Sequence, residues 1–127
     1  MAPRVLVVDD EAQTVQLLQI ALEGEGYEVE TASNGAECLL AIDRCRPDLV
    51  ILDVGMPILD GYHVLRSLRE QPGTEDLPVI MLTARSADED VRISVDYDAI
   101  PHITKPFEMA ELLAHTRRVL APDESGL

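Results

Sequence analysis

Apolar residues in this chain gather into short runs that each stop on a polar group. Val5-Leu6-Val7-Val8 ends at Asp9-Asp10, Leu49-Val50-Ile51-Leu52 at Asp53, and Val79-Ile80-Met81-Leu82 at Thr83. A fourth apolar stretch runs into Thr104-Lys105-Pro106-Phe107. Such β-branched runs, alternating with segments of helical period, predict repeated βα units and a parallel sheet covered on both faces. The pattern places strands at about 4–8, 27–32, 48–53, 77–83 and 99–103, and helices at about 12–24, 35–45, 60–70, 87–96 and 107–120. In the first helix Val15, Leu18 and Leu22 recur at spacings of three and four, and Gly24 and Gly26 stop it. Asn34-Gly35 and Arg46-Pro47-Asp48 bracket the second helix, and Gln71-Pro72-Gly73-Thr74 closes the third. Pro101 falls inside the fifth strand and predicts an edge position, since proline cannot donate to a ladder. One domain over 1–120 is expected, followed by a flexible polar tail over 121–127.

Charge narrows the function. The formal net charge of −14 and pI near 4.3 oppose direct contact with a phosphate backbone, so no nucleic-acid partner is expected. Cys38 and Cys45 lie on one helix two turns apart, about 10 Å, beyond disulfide reach, and read as reduced thiols. No apolar stretch approaches the roughly 20 residues of a membrane span, and Met1-Ala2-Pro3-Arg4 runs straight into a strand. A cytoplasmic location without a membrane partner follows as an expectation.

The polar run-ends carry the chemistry. In an open parallel sheet, ligands bind outside the carboxyl ends of the strands, where Asp9, Asp10, Asp53, Thr83 and Lys105 all fall. Lys105 is the one lysine beside nine arginines, a compact ammonium on a flexible stem suited to meeting a phosphoryl oxygen or carboxylate. Crowded carboxylates repel one another, and a hard cation such as Mg²⁺ relieves that repulsion using one or two of them with waters and phosphate oxygens. An aspartate can itself accept a phosphoryl group, while metal, hydroxyl and ammonium neutralise the transferring oxygens.

These residues resemble a known family. Leu6-Val7-Val8-Asp9-Asp10-Glu11, the stretch Asp53-Val54-Gly55-Met56-Pro57-Ile58-Leu59-Asp60-Gly61, Thr83-Ala84 and Lys105-Pro106-Phe107 together resemble, in order, the receiver domain of two-component response regulators. The resemblance extends from Arg4 to Leu120 and implies a flavodoxin-like, doubly wound (βα)5 fold with strand order 2-1-3-4-5. It implies that Asp53 accepts a phosphoryl group from a sensor histidine kinase or histidine phosphotransfer protein. It further implies that Asp10, Asp53 and the Gly55 carbonyl ligate Mg²⁺, with Asp9 assisting through water. Thr83 would supply a mobile hydroxyl and Lys105 a phosphoryl contact, and Lys105-Pro106 would be a cis peptide. The expected role is signalling rather than enzymatic turnover of a substrate, with Mg²⁺-dependent self-phosphorylation and autodephosphorylation. Output would pass through the fourth helix, fifth strand and fifth helix to a protein target or to an output domain absent from this chain.

Plainer readings exist for single residues. Asp9-Asp10-Glu11 could cap the first helix, and Glu11 is read as such a cap. Met56-Pro57 and Asp60-Gly61 shape a loop, with Gly61 permitting tight entry to the third helix. His63, His102 and His115 lack metal-ligand spacing, and Arg117-Arg118 complements a helix dipole. A phosphatase of the haloacid-dehalogenase type would need an Asp-x-Asp pair after its first strand and a cap insertion, whereas this chain has adjacent Asp9-Asp10 there and lacks the insertion. Departures from the family pattern concern output. Asp98 stands where a glycine is usual, and His102 where the family has the rotating aromatic of the switch. Ile100, Pro101 and His115 replace the charged residues of the winged-helix-type receiver dimer, which is therefore disfavoured.

Overall fold

The computed structural model describes residues 2–55, 61–83 and 102–121. Five parallel strands form one sheet in the order β2-β1-β3-β4-β5. The strands are β1 (Arg4–Val8), β2 (Glu28–Ala32), β3 (Leu49–Asp53), β4 (Val79–Thr83) and β5 (His102–Thr104). The helices are α1 (Ala12–Gly24), α2 (Gly35–Cys45), α3 (Gly61–Glu70) and α4 (Met109–Leu120). The helix expected at 87–96, the first residues of the fifth strand at 99–101, Asp98 and the tail at 122–127 lie outside the described residues. Helix α4 is thus the fifth helix of the sequence reading, and β5 lies at an edge of the sheet as expected.

The strands are continuously apolar because alternate side chains enter two separate cores. Val5, Val7, Leu49, Ile51, Ile80, Leu82 and Ile103 pack with Leu18 and Leu22 of α1 and Leu112 of α4. Leu6, Val8, Val50, Leu52, Val79 and Met81 pack on the opposite face with Cys38, Ala41 and Ile42 of α2 and Val64, Leu65 and Leu68 of α3. Both cysteines are buried free thiols, and desolvation, with a smaller contribution from Cys45, pushes Cys38 up to about 12. Their expected reduced state fits an environment that suppresses thiolate.

Local signals end the helices where expected. The Tyr27 N–H donates to the Leu22 carbonyl and the Gly26 N–H to the Glu23 carbonyl, with Gly26 at φ +94°. This is a Schellman turn, and it requires the left-handed residue that glycine supplies at Gly26. At α2 the Asn34 side chain accepts from the Glu37 N–H at 2.8 Å, and Glu37 reaches back to the Ser33 N–H at 2.8 Å. The Ser33 backbone and hydroxyl bonds hold the Glu37 carboxyl below its usual range.

Packing explains the tight entry to α3 expected at Gly61. A Cβ there would lie 2.7 Å from the Asp53 carbonyl oxygen and 2.9 Å from Val54 Cα. Close approach of α3 to the end of β3 therefore sets the requirement. Gly61→Ala is expected to destabilise the fold by about 1–3 kcal/mol, the usual cost of forcing atoms into a filled core. A urea titration of the two proteins checks this, and an unchanged midpoint would refute the packing argument.

Candidate functional site

At four of the five strand ends on one edge of the sheet the chain leaves a polar group of the site. Asp9 follows β1, Asp53 ends β3, Thr83 ends β4 and Lys105 follows β5. Asp9, Asp53 and Thr83 are buried at 1%, 6% and 3% exposure, whereas Asp10 is exposed. One carboxylate oxygen from each of Asp9, Asp10 and Asp53 lies within 4.8 Å of the others. Buried carboxylates held this closely require compensating positive charge.

Lys105 supplies part of it. Its Nζ lies 2.8 Å from Asp9 Oδ2, 3.6 Å from Asp53 Oδ2 and 3.6 Å from Glu11 Oε1. The Lys105 N–H also donates to the Thr83 carbonyl at 2.6 Å, tying the end of β5 to β4, and the Lys105-Pro106 peptide is cis. Burial alone would lower the ammonium's pKa, but the Asp9 hydrogen bond and the charges of Asp53, Asp9 and Glu11 together raise it. The Lys105 ammonium is therefore held charged.

Asp53 is pushed the other way. Desolvation raises its carboxyl pKa, opposed by the Gly55 N–H that donates to Oδ1 at 3.1 Å. The negative charges of Asp9 and Asp10 raise it further, and Lys105 lowers it.

Asp9 has both oxygens engaged, since Oδ1 accepts the Glu11 N–H at 2.9 Å while Oδ2 meets Lys105. The expected cap at Glu11 is corrected here. Glu11 occupies the N-cap of α1 without a side-chain hydrogen bond to the helix, and its carboxylate approaches Lys105 instead. Sequence reading missed this contact because only the tertiary fold brings the start of α1 beside the end of β5.

His102 on β5 lies beside Tyr62 of α3, with Nε2 3.3 Å from the Tyr62 hydroxyl and ring centroids 6.1 Å apart. Tyr62 carried no signal in the sequence beyond its place after Gly61. Arg117 is in the last turn of α4, as a dipole partner should be, and also pairs with Glu25 at 2.6 Å. Met56, Pro57 and Asp60 lie outside the described residues.

A doubly wound parallel α/β sheet carries an acidic cluster and a partly buried lysine at its carboxyl edge, and comparison identifies the family. The model of the response regulator receiver domain matches residues 5–117, and the chain belongs to that family. The transcriptional regulatory protein PrrA of Mycobacterium tuberculosis is 41% identical over 94% of this chain and 50% of its own length. The alkaline phosphatase synthesis transcriptional regulatory protein PhoP of Bacillus subtilis is 41% identical over 98% of this chain and 51% of its own length. The chain thus spans about half the length of these curated relatives. Among solved structures, Vibrio cholerae chemotaxis protein CheY4 superposes with a TM-score of 0.87 at 34% identity, covering 94% of this chain and all of that one. The receiver domain of a Syntrophus aciditrophicus signal transduction histidine kinase gives 0.88 at 38% identity, covering 97% of this chain and 93% of its own. This chain is a receiver domain of the two-component response-regulator type.

A raised carboxyl pKa has a definite sign for stability. Asp53 binds its proton more tightly folded than unfolded, so its ionisation costs stability as pH rises through the folded value, and the cost is absent below the unfolded value. In chelator, Asp53→Asn is expected to melt a few degrees higher than wild type at pH 7, an increment on the scale of about 1 kcal/mol. The difference should close as pH falls below about 4. Calorimetric melts across that range check it, and a lower melting temperature for the Asn variant at pH 7 would overturn the sign.

Proposed function

We propose that this receiver accepts a phosphoryl group on Asp53 from a phosphohistidine of a sensor kinase or phosphotransfer protein. The observation that carries the reading is the convergence of Lys105 on Asp9 and Asp53, a cation fixed beside a desolvated carboxylate. An Asp53 carboxylate oxygen forms a bond to phosphorus as the bond from phosphorus to the donor's imidazole nitrogen breaks. The electron pair leaves with that nitrogen, and an acyl phosphate results. Lys105 and the Thr83 hydroxyl would take the phosphoryl oxygens, where a compact point charge on a mobile stem suits a site filled only after transfer.

The donor set fits Mg²⁺. Asp10 and Asp53 with the Gly55 carbonyl would hold the ion, and engagement of both Asp9 oxygens elsewhere supports its acting through water. Bound Mg²⁺ would offset the carboxylate repulsion and neutralise phosphoryl oxygens. A groove bordered by Thr14, Leu17, Lys105, Pro106 and Phe107 lies beside the site and offers apolar surface to a protein donor. Relatives named as transcriptional or DNA-binding regulators are about twice as long, which supports a downstream output domain or protein target, with no nucleic-acid contact by this acidic domain itself. His102 would carry the switch, and its contact with Tyr62 supports a link from β5 to α3. A cytoplasmic location suits a kinase partner.

Incubation with acetyl phosphate and Mg²⁺ should add one phosphoryl group by intact mass to wild type, and none to Asp53→Asn or in excess chelator. Phosphorylation of the Asn variant at any other side chain would overturn the assignment. Lys105→Arg keeps the charge but not the compact geometry, and should weaken the response to beryllofluoride, a phosphoryl mimic, by about ten- to a hundredfold. Thr83→Ala should still be labelled yet show a reduced NMR response around β5 and α4. Wild-type behaviour in either variant would remove that residue from the mechanism.

A further inference from the structure

We propose that Glu11 is a positioning residue that restrains the Lys105 ammonium in the resting receiver and competes with the incoming phosphoryl group for it. The inference rests on the reading of Lys105 as the phosphoryl contact. Three carboxylates approach that ammonium, and two of them, Asp9 and Asp53, are buried members of the acidic cluster. Glu11 is the third, at 3.6 Å, and among the described residues it is not part of that cluster.

Its backbone is pinned from both sides. The Glu11 N–H donates to Asp9 Oδ1, and its carbonyl accepts from Val15 in the first turn of α1. The short side chains of Ser, Thr, Asp and Asn suit an N-cap bond and the longer glutamate does not, although its charge still favours the helix N-terminus. Here that bond is not made, and the side chain leans toward Lys105. Glu11 is mostly solvent-exposed, so its hold is weak and electrostatic, a bias on where the ammonium rests. Asp9 fixes the lysine, and Glu11 tunes its availability. A phosphoryl group on Asp53 must draw the ammonium away from Glu11, so neutralising Glu11 favours the phosphorylated arrangement.

The chain's single lysine makes the test specific, because selective ¹³C,¹⁵N-lysine labelling yields one side-chain spin system. In metal-free wild type and Glu11→Gln, the Lys105 side-chain order parameter is compared first. It should fall in the Gln variant, and an unchanged value overturns the restraint whether or not the domain is phosphorylated. At saturating Mg²⁺, Glu11→Gln should then tighten beryllofluoride binding and speed labelling by acetyl phosphate about two- to fivefold, contracting as salt is raised. Unchanged or weaker binding overturns the competition. Introduced into Lys105→Met, the same substitution should have no effect, and a gain that persists there would mean Glu11 acts on the anion directly. Circular dichroism establishes that each variant is folded, and Glu11→Ala provides a second neutral replacement. Failure of wild type to label on Asp53 would sink the proposed function alone, while the lysine dynamics still decide the restraint.

Discussion

The pairing of Lys105 with the buried carboxylates of Asp9 and Asp53 is the interaction on which the rest of the site depends. It joins the ends of β1, β3 and β5, elements far apart in sequence, at the carboxyl edge of the sheet. Burying two carboxylates without a cation would be strongly unfavourable, and removing the lysine would leave both charges uncompensated. The pair is also asymmetric. A 2.8 Å hydrogen bond fixes the ammonium to Asp9, whereas 3.6 Å separates it from Asp53. That leaves Asp53 desolvated but not neutralised, a condition that favours a new ligand over a settled ion pair.

The sheet makes this asymmetry possible. Because every central strand is buried on both faces, its last residue is delivered to the rim from a rigid, fully packed segment. Gly61 contributes from the other side, since its missing Cβ lets α3 lie directly on the Asp53 carbonyl. The Asp53 side chain is thus positioned by packing, and desolvation raises its carboxyl pKa.

Much of the fold could be read from the pattern of apolar runs. Strands at 4–8, 49–53 and 79–83 stand within two residues of their expected bounds, because doubly buried strands are short, β-branched and sharply punctuated. Proline and glycine signals located the helix ends equally well, as at Arg46-Pro47 and Gly26. The alternation of βα units implied a parallel sheet, but the order 2-1-3-4-5 came from family resemblance, since periodicity carries no information on which strands pair. Glu11 was misread for a related reason. Before a helix an acidic residue looks like a cap, and only the return of the chain at Lys105 offers it a partner outside its own helix.

The sequence by itself determined which groups end each strand, and therefore that carboxylates, a hydroxyl and an ammonium would share one edge. That information is local, because strand period and turn residues fix where each run stops. Tertiary structure alone decided the division of labour among them. Whether Lys105 bonds Asp9 or Asp53, which carboxyl is desolvated, and whether Glu11 faces its own helix or the lysine depend on distances of an ångström or less across elements far apart in the chain. Coulomb energy and solvation vary steeply on that scale, and hydrophobic patterning does not encode it.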